Sequence, residues 1–147
     1  MTQNEFNIDL LKKGELILRS SDFCKAYQVG IHGRMFGGFL MSELDSACAV
    51  FVAEVCDTPW VVTKKLDTEF ISPVFPDQIF KCYIGIETIG TTSIKLNVEI
   101  RKYSVETEKE TLAIVAKGVF VRINQEGEAI KISDHVRTKY GYDKLNK

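Results

Sequence analysis

The chain has 147 residues, 45% of them hydrophobic, with 19 Lys and Arg against 20 Asp and Glu and a formal net charge of -1. That length suits one domain with a real core, and the even charge argues against nucleic acid as a partner. No apolar run approaches the roughly 18 residues of a membrane span, and the N-terminal stretch MTQNEFNIDLLKKGELILRS lacks the charged-then-apolar layout of a secretory leader.

The first dozen residues are weakly patterned, a short helix or a loose arm, and Glu15–Arg19 (ELILR) reads as a short strand. Residues 20–35 read as a loop, broken by Gly30 and Gly33. Phe36–Cys56 (FGGFLMSELDSACAVFVAEVC) reads as the one long helix, ended by Asp57, Thr58 and Pro59. The pattern then changes to β. Trp60–Ile71 is rich in β-branched and aromatic residues, and SPVFPD makes a turn. Ile79–Ile89 alternates, TIGTT is a tight connection, and Ser93–Tyr103 alternates again with Ile94, Leu96, Val98 and Ile100 on one face. SVETEKE is a solvated tip, Leu112–Ile123 the last long strand, and NQEGE a closing turn. Residues 131–147 are polar and are expected to pack loosely.

Successive strands with short links pair antiparallel, and their one apolar face needs the helix as its cover. The expected architecture is α+β: one domain over residues 1–147, a curved antiparallel sheet wrapped around a central helix. Such a sheet has unprotected edges, so a homodimer with paired sheets is expected.

At 100° per residue Phe36, Leu40, Leu44, Ala47, Cys48, Phe51 and Val55 share one arc of the helix, an ordinary core face. Gly38, Ser42, Asp45, Ser46, Ala49, Ala53 and Cys56 lie opposite. All but Asp45 are small, so this side suits close backbone contact or a ligand. Asp is a poor helix-interior residue and is rarely buried without a reason, so Asp45 reads as a functional carboxylate and not as a tolerated one.

The four cysteines (Cys24, Cys48, Cys56, Cys82) form no CxxC pair and have no His-rich companion, which leaves no expectation of a metal site. Cys48 and Cys56 stand about 12 Å apart along a helix, too far for a disulfide. Free thiols point to a reducing, cytoplasmic setting.

Four blocks in order carry a family resemblance: HGRMFGGFLMSELDSA (32–47), VVTKKLDTEFISPVFPDQI (61–79), GTTSIKLNVEI (90–100) and KGVFVRINQEGEAI (117–130). Over residues 15–130 the chain resembles the hotdog-fold acyl-CoA thioesterases, closest to their YciA-like and cytosolic acyl-CoA hydrolase branch. The FGG followed by a helical Asp is the branch's glycine-pair motif, and Thr63, Phe70, Pro73 and Asp77 stand in matching places. The resemblance implies a hotdog fold and hydrolysis of acyl-CoA without metal or organic cofactor. It also implies an active site shared across a dimer, with dimers assembling further into a dimer of dimers or a trimer of dimers. One position departs: Gly30 stands where the branch often carries an Asn, and His32 is left to take part of that polar role.

The residues allow this chemistry. Gly37 and Gly38 at a helix N-terminus leave backbone N–H groups open to a developing oxyanion, and Asp45 serves as general base toward water or as a nucleophile forming an anhydride. Eight residues separate Gly37 from Asp45, about 12 Å of helix, so one thioester cannot meet both on a single helix. Two antiparallel helices can. Phe36, Thr63, Thr92 and Ser93 are candidate substrate contacts, and Lys64, Lys65, Arg101 and Lys102 candidate contacts for coenzyme A phosphates. His135 reads as a bystander, and Ser42 and Ser46 lack the His partner of a serine triad. A non-catalytic acyl-CoA binding or sensing protein and a hydratase or dehydratase are the competing readings. The first would tolerate loss of Asp45, and the second would place a His beside an acid.

Overall fold

The computed structural model describes residues 14–142; the expected helix or arm over the first dozen residues and the last part of the polar tail lie outside them. In chain order the elements are β1 (Ile17–Phe23), a 3-10 turn (Ala26–Gln28), α1 (Gly37–Cys56), β2 (Val61–Phe70), β3 (Ile79–Ile89), β4 (Ser93–Ser104), β5 (Lys109–Arg122) and α2 (Asp134–Lys139). The strands form one five-stranded sheet in the order β1-β3-β4-β5-β2, and every neighbouring pair is antiparallel.

Alternation sets the two faces. Ile94, Leu96, Val98 and Ile100 of β4 are buried, while Lys95 between them is exposed. One rung crosses all five strands through Ile17, Ile84, Val98, Ala116 and Thr68. Because β1 and β2 are the two edges, α1, which joins them in sequence, must run across the sheet face. It buries Leu40, Leu44, Cys48, Phe51, Val52 and Val55 there. Each such large side chain contributes about 1.5–3 kcal/mol. Among the described residues no helix is long and apolar enough to cross a membrane.

Several details differ from the sequence expectations: β5 begins at Lys109 and not at Leu112, because Lys109–Thr111 pair with Ser104–Lys102 of β4. The first strand is Ile17–Phe23 and not Glu15–Arg19, because the polar stretch Ser20–Phe23 pairs with Cys82–Ile79 of β3 through backbone groups that alternation does not report. Residues 20–35 are less loop-like than expected: beyond β1, Phe36 N–H donates to Gln28 O at 2.7 Å, Gly30 N–H donates to Arg34 O at 2.7 Å, and Val29 bridges Met35. Phe36 leaves the core face and is 60% exposed, because it is the N-cap, with extended backbone (φ -64, ψ 132), and so out of helical phase. Cys56, assigned to the small-residue side, is buried where the chain reverses through left-handed Asp57 (φ 56).

The polar tail also packs tightly. Ile132, Val136, Tyr140 and Tyr142 are buried, and Ser133 caps α2 by accepting from Val136 N–H at 3.2 Å. Arg137, 1% exposed, donates from Nη1 to Ile89 O at 2.9 Å and from Nη2 to Gly90 O. Ile132 N–H donates to Thr91 O at 2.8 Å. The tail therefore clamps the β3–β4 turn.

Candidate active site

α1 starts without a side-chain cap. Its first bonds run from Phe39 N–H and Leu40 N–H to Phe36 O, at 3.0 and 3.3 Å. The amides of Gly37 and Gly38 precede these and have no acceptor within the helix, as the first turn requires. Glycine matters most at Gly38. A Cβ on Gly38 would lie 2.5 Å from Phe36 Cε2, and one on Gly37 would meet the Phe70 ring edge at 3.4 Å. The Phe36 ring would have to shift for a side chain at Gly38, whereas at Gly37 the Phe70 ring is already at contact distance.

Asp45 is partly buried in the middle of α1, and Thr63 Oγ1 donates to its Oδ1 at 2.5 Å. The lengths of the two elements bring this about. From Asp45 to the reversal at Asp57 is about 18 Å of helix, and from Asp57 back to Thr63 about 20 Å of extended chain. Thr63 is therefore level with Asp45 and orients the carboxylate. On the same side of the helix Gly38, Ser42 and Ser46 are exposed, so the small-residue stripe is open in the single chain.

A cavity of about 320 Å³ adjoins Gly37 and is lined by Arg34, Met35, Leu40, Phe70, Ile71 and Pro73 among others. The sequence reading missed Arg34, Met35 and Ile71 as site residues; only the position of Phe70 at the end of a strand facing the helix start hinted at this wall. His32 is exposed at the tip of the Gly30–Arg34 turn, where Gly33 takes positive φ (75). A Cβ at Gly30 would make only ordinary contacts, 3.6 Å from Arg34 O and 3.7 Å from Phe36 Cβ, so the position has room for a side chain.

The structure disperses the candidate coenzyme A contacts. Thr92 and Ser93 lie at the β3–β4 turn, and Ser93 pairs with Val121, which pairs with Val62 beside Thr63. Lys64 is exposed on β2, and Lys65 lies 3.3 Å from Asp67. Arg101 is on the sheet face away from α1, held by Glu99 at 2.6 Å and Glu110 at 3.2 Å and stacked 3.9 Å from the Tyr83 ring centroid. Those carboxylates already neutralise it. Lys102 donates to Pro73 O at 2.7 Å.

All four cysteines are free and buried. Burial pushes the Cys48 thiol, one turn beyond Asp45, strongly upward, with Cys82 and the Asp45 carboxylate adding to the shift. Cys82 is pushed up to about 12 and Cys56 to about 11, again chiefly by burial. A thiol kept protonated is a poor nucleophile.

Residues 32–109 match the model of the thioesterase superfamily. An uncharacterised acyl-CoA thioester hydrolase of Buchnera aphidicola is 31% identical over 122 residues, 80% of this chain and 88% of that one. The acyl-CoA thioester hydrolase YciA of Salmonella typhimurium is 28% identical over 124 residues, 82% of this chain and 92% of that one. Among solved structures, a hexameric hotdog fold thioesterase of Campylobacter jejuni matches with a TM-score of 0.75 at 26% identity, over 84% of this chain and 96% of that one. With the helix laid across an antiparallel sheet and the glycine-pair block inside the matched span, the chain belongs to the thioesterase superfamily and has the hotdog fold.

Proposed function

We propose that this protein hydrolyses acyl-CoA thioesters to free coenzyme A and a carboxylic acid. The observation that carries the reading is a mid-helix aspartate fixed by Thr63 at 2.5 Å, on a helix whose glycine amides are uncapped. In the general-base route Asp45 takes a proton from water, and the water oxygen adds to the thioester carbon. The carbonyl oxygen gains charge against the amides of Gly37 and Gly38. Collapse expels the thiolate of coenzyme A, which is protonated. In the nucleophilic route Asp45 attacks first, and water then cleaves the anhydride. Both routes need the same carboxylate and amides, and neither calls on a metal or organic cofactor.

The site is assembled from two chains. Gly37 and Asp45 are about 12 Å apart along α1, so each amide end serves the Asp45 of a second, antiparallel copy. The exposed stripe of Gly38, Ser42 and Ser46 and the place of β2 at the sheet edge among the described residues support that pairing. The hexameric relatives support a trimer of such dimers. A protein of free thiols fits the cytoplasm.

The test is thiol release from acyl-CoAs of increasing chain length by wild type and Asp45→Asn. The expected result is turnover by wild type and a loss of at least about 100-fold in the variant. An Asp45→Asn protein that keeps its turnover, or a monomeric variant that keeps it, overturns the mechanism.

A further inference from the structure

Arg34 and Lys102 make no ion pair among the described residues, whereas Arg19, Lys81 and Arg101 are matched by carboxylates. The two nevertheless converge. The Arg34 guanidinium lies 5.8 Å and the Lys102 ammonium 5.7 Å from the ring centroid of Phe75.

Three chain segments hold this arrangement. Met35 N–H donates to Val74 O at 2.8 Å, which sets Arg34 beside Phe75, and Val74 is fully buried beneath the turn. Phe75 N–H donates to Gln78 Oε1 at 2.9 Å and Gln78 N–H returns to Phe75 O at 3.1 Å, closing the turn. Lys102 reaches it from the end of β4 through its bond to Pro73 O. A 40% exposed aromatic ring thus has two cations within 6 Å of its centroid, and one of them, Arg34, also lines the cavity that reaches Gly37.

Two cations sharing one ring repel each other, and an exposed ring face compensates them weakly. A phosphate compensates them well. The guanidinium offers a fork to its oxygens, and the ammonium a point charge. We propose that Arg34 and Lys102, set by Phe75, bind the phosphates of the coenzyme A nucleotide, while the cavity beside Gly37 takes the part of the substrate next to the thioester. The exposure of Arg34 and Phe75 suits a phosphate that stays partly solvated rather than the enclosed end of an acyl chain. This assignment rests on the thioesterase reading above.

The test compares Arg34→Gln, Lys102→Met and the double variant with wild type. The same acyl group is offered on coenzyme A and on pantetheine, which lacks the nucleotide. Each single variant is expected to raise KM for acyl-CoA about tenfold with kcat within about twofold, and to leave acyl-pantetheine unchanged. Added salt is expected to weaken acyl-CoA binding more in wild type than in the double variant. Calorimetric titration with the phosphorylated adenosine fragment of coenzyme A needs no turnover. Binding by wild type and its loss in the double variant supports the site even if no acyl-CoA is hydrolysed. An equal KM rise for acyl-pantetheine overturns the proposal. So does a loss confined to acyl groups with a terminal carboxylate, an unchanged KM for acyl-CoA, or failure of wild type to bind the fragment.

Discussion

Thr63, whose hydroxyl donates to Asp45 Oδ1 at 2.5 Å, stands where β2 slips its register against β5, between Thr63 and Lys65. A register slip of this kind re-aims side chains, and here it leaves Thr63 pointing at the helix before the strand resumes with Leu66 and Thr68. Thr63→Val keeps the shape and removes the donor. It is expected to lower kcat about 10–100-fold, the loss of one hydrogen bond to a charged group, with Thr63→Ser restoring most of it. Thiol release by the two variants under saturating acyl-CoA checks this, and undiminished turnover in Thr63→Val would remove the hydroxyl from the mechanism.

Gly38→Ala separates activity from stability. The new Cβ falls 2.5 Å from Phe36 Cε2, so the ring must swing away from the amides it now flanks. Alanine is also the better helix residue by about 1 kcal/mol. The expected outcome is an unchanged or higher melting temperature together with at least a roughly tenfold fall in turnover, measured on one preparation.

Arg137→Met removes the clamp on the β3–β4 turn and leaves the carbonyls of Ile89 and Gly90 without their buried donor. A loss of about 2–3 kcal/mol is expected, read from denaturant midpoints, with the slope unchanged. A midpoint within error of wild type would mean that the turn holds itself.

The thiols give stability a defined pH dependence. Burial raises Cys56 from 9.0 to about 11 and Cys82 from 9.0 to about 12. Above about pH 9 the unfolded chain therefore releases protons that the folded chain keeps. Their contribution is complete below that pH and falls as the pH rises toward the folded values. Denaturant midpoints are expected to decline between about pH 9 and pH 11, and less steeply in the Cys56→Ala, Cys82→Ala double variant. A slope that the substitutions do not alter would assign the decline to other groups.

Much of this was legible in the sequence. Ile79–Ile89 coincides with its strand because both faces of its alternation were written in side chains. Asp45 stood out because nothing else charged shares its helix side. The Asp45–Thr63 contact was not read there, Thr63 having been expected only to touch substrate, although the segment lengths, about 18 Å of helix against about 20 Å of strand, allow it. Arg137 was not legible, since its acceptors are backbone carbonyls 47 and 48 residues upstream and a carbonyl has no sequence signature. The same holds for Arg101, whose neutralising Glu110 comes from the next strand, and for Arg34, which meets Phe75 only because Met35 bonds to Val74. Periodicity reports faces, and these three depend on register between segments, across one hairpin for Arg101 and between distant segments for Arg34 and Arg137.

Thr63 belongs to β2, which is an edge strand among the described residues. The residue that steers the carboxylate is thus mounted on the same rail that a second copy would occupy. If the proposed two-chain site holds, dilution acts on the chemistry as well as on the assembly, and turnover per chain, followed against enzyme concentration, is expected to gauge the association constant.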